Sequence, residues 1–135
     1  MSGVHVRVRA GGEHYALPVE GVCEVAKLGP LTSVPGAPGA VLGVWNLRGD
    51  VMAVIDLATL LGLETGERGR IVVAEVGDRC AGLAVEFVVD VGSVPRSRDP
   101  AESEYLAGAV LIDRTPVGIV DLGAVLGALS PEAAG

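Results

Sequence analysis

The sequence predicts an all-β fold with a few short helices, arranged as two small barrels that repeat one another. Three observations predict it. Short apolar segments recur at regular spacing between glycine- and proline-rich turns, the pattern of small β-architectures. The helical stretches between them last only one or two turns. Third, the chain repeats itself. Moved by 66 positions, Tyr15 to Val25 falls on Ala81 to Val91, with Leu17 on Leu83, Val19 on Val85, Glu20 on Glu86, Val22 on Val88 and Val25 on Val91, while Glu24 meets the like-charged Asp90. Moved by 65, Met52 to Gly62 falls on Val117 to Gly127, where Asp56, Leu57, Leu61 and Gly62 match Asp121, Leu122, Leu126 and Gly127. Gly43 meets Gly108 at the same offset. Two segments in the same order at nearly one offset indicate a duplicated unit of about 65 residues.

Each element has a local cause. Val4, Val6 and Val8 alternate with His5, Arg7 and Arg9, which predicts a half-buried strand. Gly11-Gly12 supplies a tight hairpin turn, because glycine tolerates positive φ. His14 to Val19 returns as the next strand and Val22 to Leu28 reads as a third. Between Gly29 and Ala40, Pro30, Pro35 and Pro38 with several glycines predict a shaped surface loop. Asn46 to Gly49 forms a strand end and turn leading into a buried strand, Val51 to Ile55. Asp56 then caps a short helix, Leu57 to Leu61, that Gly62 ends. The second copy follows with strands near Ile71 to Val76, Ala81 to Val85 and Val88 to Val94. In the next loop Asp99-Pro100-Ala101-Glu102 reads as a capping box with proline at the first helical position. Strands near Ala109 to Ile112 and Val117 to Val120 and an Asp121-capped helix complete it.

A chain of 135 residues is long enough to bury a real core. The aromatics are Tyr15, Trp45, Phe87 and Tyr105 alone, so that core is aliphatic and platforms for stacking nucleobases are nearly absent. A net charge of −7 argues against sequence-independent binding to nucleic acid or direct binding to an anionic membrane, both of which need clustered positive charge. The arginine pairs Arg7/Arg9, Arg68/Arg70 and Arg96/Arg98 read as solvated faces or loops. Cys23 and Cys80 have no CxxC spacing and no signal peptide precedes them, which points to reduced thiols in the cytosol. No uninterrupted apolar run approaches the roughly 20 residues that cross a bilayer.

Catalytic patterns are missing. His5 and His14 read as surface residues, and no histidine–cysteine cluster suits zinc. The glycine-rich stretch from Gly36 to Gly43 lacks phosphate-loop spacing, and no GxSxG elbow occurs. Asp56 and Asp121 occupy repeat positions ahead of helices, which makes them N-caps rather than an acid–base pair. No catalytic residue, metal or cofactor is therefore expected. One cluster stands out: Asn46-Leu47-Arg48-Gly49 holds the only asparagine, and the second copy has nothing like it. Asn46 and Gly49 suit a turn in which Arg48 pairs with a nearby carboxylate. Arg48 equally suits presentation of its planar fork to a partner.

These residues resemble a known family, the CheW-like domain. Gly43-Val44-Trp45-Asn46-Leu47-Arg48-Gly49, followed by Val51 to Leu57, is similar to its G-x-x-N-L-R-G and v-x-p-V-i-D-L signature. Tyr15 to Val25 with Thr32, Val34-Pro35 and Pro38, and Gly82-Leu83 to Val91, resemble its flanking segments. The resemblance runs from about Val4 to Leu129. The chain departs from the family pattern at Val6 and Val8, at Trp45, and at Glu86.

The resemblance implies a single domain of two intertwined five-stranded SH3-like barrels, the first copy covering about 14–65 plus terminal elements and the second about 70–129. It implies a chemotaxis adaptor that couples the cytoplasmic tips of chemoreceptors (methyl-accepting chemotaxis proteins) to the regulatory domain of the histidine kinase CheA. Such an adaptor is cytoplasmic and is recruited to membrane receptor arrays through its partners. Carried over by position, the receptor-binding groove comprises Val22, Glu24, Gly43, Gly82, Val88 and Val91. Asn46, Arg48 and Gly49 support the interface, and Trp45 serves either as a contact anchor or as a plug at the barrel end. The alternative role is a structural array component that binds receptor or kinase without activating it.

Overall fold

The computed structural model describes residues 3–64, 66–96, 99–101 and 103–129. Strand β1 (Gly3–Ala10) turns at Gly11-Gly12 into β2 (Glu13–Pro18). Both glycines have positive φ (58° and 79°), the geometry of a two-residue hairpin turn that other residues enter only with strain. A 3-10 turn (Val19–Gly21) leads to β3 (Val22–Lys27), and the proline-rich loop leads to β4 (Val41–Leu47) and β5 (Asp50–Asp56). Helix α1 (Leu57–Leu60) closes the first half. The second half runs β6 (Arg70–Val76), β7 (Arg79–Val85), β8 (Phe87–Val94), β9 (Leu106–Ile112), β10 (Thr115–Val120) and α2 (Leu122–Gly127).

Two five-stranded sheets result, with orders β8-β1-β2-β10-β9 and β3-β6-β7-β5-β4. Advancing every strand of one by five, and returning to β1 after β10, gives the other. Each is an SH3-like barrel, and neither is one copy of the repeat: the first takes two strands from the first half and three from the second, and the other sheet does the reverse. The sequence repeat therefore became an exchange of strands. The parallel pairings β2–β10 and β5–β7 sit at the exchange points.

Burial explains why this exchange is stable. The largest apolar cluster lies between the sheets, where Val6, Val8, Tyr15 and Leu17 meet Val72, Leu83 and Val85, with Leu122, Val125 and Leu126 of α2. Smaller clusters fill each barrel: Met52, Val54, Ile71, Val73 and Ala84 in one, and Ala16, Val94, Val110 and Val117 in the other. Strand faces alternate between the two kinds of cluster, as the period of two requires.

Val51, read as part of a buried strand, is 67% exposed, and Arg7, read as part of a solvated face, keeps only 17% of its side chain exposed. Two further expectations need correction. Asp99, Pro100 and Ala101 are not helical, and Glu102, like Arg98, lies outside the described residues. Asp99 instead bridges Ala109 and covers part of the outer edge of β9, just as Thr32 bridges Val44 and covers β4. An open edge of unpaired backbone groups competes with a marginal one-turn helix and wins. The second concerns the caps. Asp121 caps α2, its Oδ1 accepting from the Ala124 N–H at 3.1 Å. Asp56 sits at the same position before α1 but makes no side-chain cap bond. Its buried carboxylate accepts from the Thr59 hydroxyl at 2.6 Å and pairs with Arg68 at 3.4 Å, which ties the α1–β6 connection to β5.

Candidate functional site

The Asn46–Gly49 cluster is the tip of the β4–β5 hairpin. Arg48 and Gly49 have φ of 50° and 90°, so the two-residue turn has left-handed geometry at both positions. Asn46 Oδ1 accepts from the Gly49 N–H at 2.9 Å and holds the turn closed. Arg48, thus fixed, reaches across to Glu24 on the edge strand β3 and forms an ion pair with it. The turn reading of the cluster is met here: Asn46 and Gly49 shape the turn and Arg48 pairs with a carboxylate, while its side chain stays 70% exposed.

Next to the pair lies a cavity of about 370 Å³ whose lining includes Glu24, Asp50, Glu75, Cys23 and Cys80 over Met52. The two cysteines are unbridged. Burial of the Cys23 sulfur, a hydrogen bond to Glu75 at 3.4 Å and the surrounding charges push its thiol pKa up. Cys80 is raised by burial and by Glu75 and Asp50. Both sulfurs therefore remain thiols at neutral pH. Alkylation by iodoacetamide should still be rising with pH through the ordinary thiol range; a rate plateau reached by pH 8 contradicts this.

The six groove residues divide into different environments. Val22 on β3 and Val88 on β8 pack against the core between the sheets. Val91 faces the same side, being the cross-strand partner of Val6, yet is 61% exposed. Glu24 is on the opposite face of β3, paired across the strand with Val73 of the barrel interior. Gly43 and Gly82 are buried, with no free surface of their own. A Cβ on Gly43 would lie 2.5 Å from the Thr32 carbonyl oxygen, and one on Gly82 would lie 2.8 Å from Ile71 Cγ2. Trp45 is half-buried against the barrel cluster of Met52, Val54 and Ile71, with Leu28 and Leu31 beside it.

Sequence reasoning missed Val25. It pairs across the strand with the core residue Val72 and is 42% exposed, which matches Val91 on the other sheet. The signal was present, since Val25 falls on Val91 in the repeat. What hid it was the three-residue spacing from Val22, which an ideal strand places on opposite faces. In the edge strands β3 and β8 one residue is bulged, Cys23 in β3 and Val89 in β8, so that Val22 with Val25, and Val88 with Val91, return to one face. The middle of the seam between the sheets is filled by the chain's own side chains. Its apolar surface opens along these two edge strands.

Two SH3-like barrels joined by exchanged strands, with apolar residues exposed on β3 and β8 and an ion-paired hairpin tip beside β3, define the class of this protein. Comparison with known proteins places it. The sequence matches the CheW-like domain over residues 5–130, and the chain belongs to that family. It is 31% identical to the "Probable chemotaxis protein CheW" of Rhizobium etli, over 96% of this chain and 90% of that protein. It is 33% identical to "Protein FrzA" of Myxococcus xanthus, over 76% of this chain and 70% of the other. Among solved structures, the scaffolding protein TtCheW from Thermoanaerobacter tengcongensis superposes with a TM-score of 0.81 at 27% identity, covering 90% of this chain and 86% of that one. Among the described residues no helix is long and apolar enough to cross a membrane, and no group of three acidic, cysteine or histidine side chains is arranged to hold a metal ion.

Proposed function

We propose that this protein is a non-enzymatic chemotaxis adaptor that couples the cytoplasmic tips of chemoreceptors to the regulatory domain of the histidine kinase CheA. It works in the cytoplasm and joins membrane arrays through those partners. One observation carries the reading: each sheet offers, on one edge strand, a pair of valines facing the inter-sheet side, Val22 with Val25 on β3 and Val88 with Val91 on β8. An apolar helix face of a receptor tip lies against such residues, and charge at the margin fixes its register. Arg48 supplies that charge. Asn46 and Gly49 fix where it stands, while Gly43 and Gly82 contribute by letting backbone and core approach closely. Trp45 braces the same hairpin from inside the barrel.

The test is to measure binding of the purified protein to a receptor-tip fragment and to the CheA regulatory domain. Arg48→Glu sets a second carboxylate against Glu24 and is expected to weaken at least one complex by about tenfold. The wild-type pair is exposed and contributes little to folding, so thermal unfolding should shift by no more than a few degrees. Normal binding to both partners by the variant removes Arg48 from the interface. Adding the protein to receptor and kinase, and following autophosphorylation, tells a coupling adaptor from an array component that assembles without stimulating.

A further inference from the structure

The edge strands β3 and β8 are built alike. Each carries one bulged residue, Cys23 or Val89, and an acid directly after it, Glu24 or Asp90. The repeat keeps the acid and changes the source of its cation. In one sheet the cross-strand neighbour of Glu24 is Val73, and the cation, Arg48, comes from the hairpin tip. In the other sheet the cross-strand neighbour of Asp90 is Arg7, whose Nε lies 3.0 Å from Asp90 Oδ1, and the tip position matching Arg48 holds Asp113.

We propose that the Arg7–Asp90 ion pair is a positioning element for partner docking, holding Val88 and Val91 on β8 as Arg48 and Glu24 hold Val22 and Val25 on β3. This rests on the docking role proposed above. The physical reason is register. A bulge leaves a residue unpaired, and a slip of one residue turns Asp90 toward the seam and Val91 away from it. Asp90 meets Arg7 only while it lies on the far face of β8, so the pair selects the register that presents the valines. The Arg7 side chain is 17% exposed and that of Asp90 53%, so solvent screens the contact from the Asp90 side and the expected effect is modest.

The experiment uses the full chain with Arg7→Gln, Asp90→Asn, and the exchanged pair Arg7→Glu with Asp90→Arg. Affinity for a receptor-tip fragment, affinity for the CheA regulatory domain and amide exchange along β8 are measured for each. Each single variant is expected to bind the receptor fragment about three- to fivefold more weakly. It should also exchange faster at residues 88 to 91 and bind the kinase domain as wild type does. The exchanged pair should restore both receptor affinity and protection. Wild-type binding by the single variants, or failure of the exchanged pair to restore it, overturns the positioning role alone. Absence of receptor binding by the wild-type protein overturns the docking reading, and this proposal with it.

Discussion

Replacing Val91 by aspartate is expected to weaken binding to the receptor tip about thirtyfold or more while leaving the fold intact. The magnitude follows from placing a charge where an apolar helix face must be desolvated, a loss of at least about 2 kcal/mol at a central contact. The fold survives because Val91 is 61% exposed and lies on an edge strand, where a polar substitution costs about 0.5 kcal/mol or less. Val25→Asp on the opposite sheet should behave the same way. Leu111 supplies the control. It is more exposed still, at 68%, and lies on β9, the edge strand at the other end of the sheet order from β8. Titration calorimetry with a receptor-tip fragment reads all three. Unchanged affinity for Val91→Asp, or an equal loss for Leu111→Asp, rejects the valine rim as the docking surface.

Gly43→Ala is expected to destabilise the protein by about 3 kcal/mol. A Cβ at this position would lie 2.5 Å from the Thr32 carbonyl oxygen, a backbone atom held by its own hydrogen bond to the Val44 N–H. The Thr32–Val44 bridge, two hydrogen bonds of 2.8 and 2.9 Å, must open to admit it. Each lost bond costs about 1 kcal/mol, and the backbone at φ 155° adds strain for an L-residue. Chemical denaturation measures this directly. The consequence for function is specific: weaker partner binding by this variant should follow the unfolded fraction and vanish when binding is normalised to folded protein. A variant as stable as wild type that still fails to bind makes Gly43 a contact residue instead.

The strands were legible because their cause is local. Val4, Val6 and Val8 alternate with charged residues, and the Gly11-Gly12 turn accepts positive φ wherever the hairpin sits. The role of Arg48 was half legible. Asn46 and Gly49 announced the turn, but Glu24 lies 24 residues upstream, and only β3 running beside that turn brings it within reach. Asp99-Pro100-Ala101 misled because a capping signature is judged over four residues, whereas the demand that displaced it, the open edge of β9, arises from a strand ten residues away.

The amino-acid order by itself determined the duplication, the strand-rich class, the aliphatic core and the tip that Asn46 and Gly49 shape. All of these depend on neighbours within a few residues or on comparison of the chain with itself. Tertiary structure decided which half supplies each barrel strand, that the seam is filled at its centre and apolar along β3 and β8, and which arginine meets each edge-strand acid. The reason is that a bulge or an exchanged strand costs little locally. Their value lies in contacts between segments far apart in the chain, and no local pattern records those.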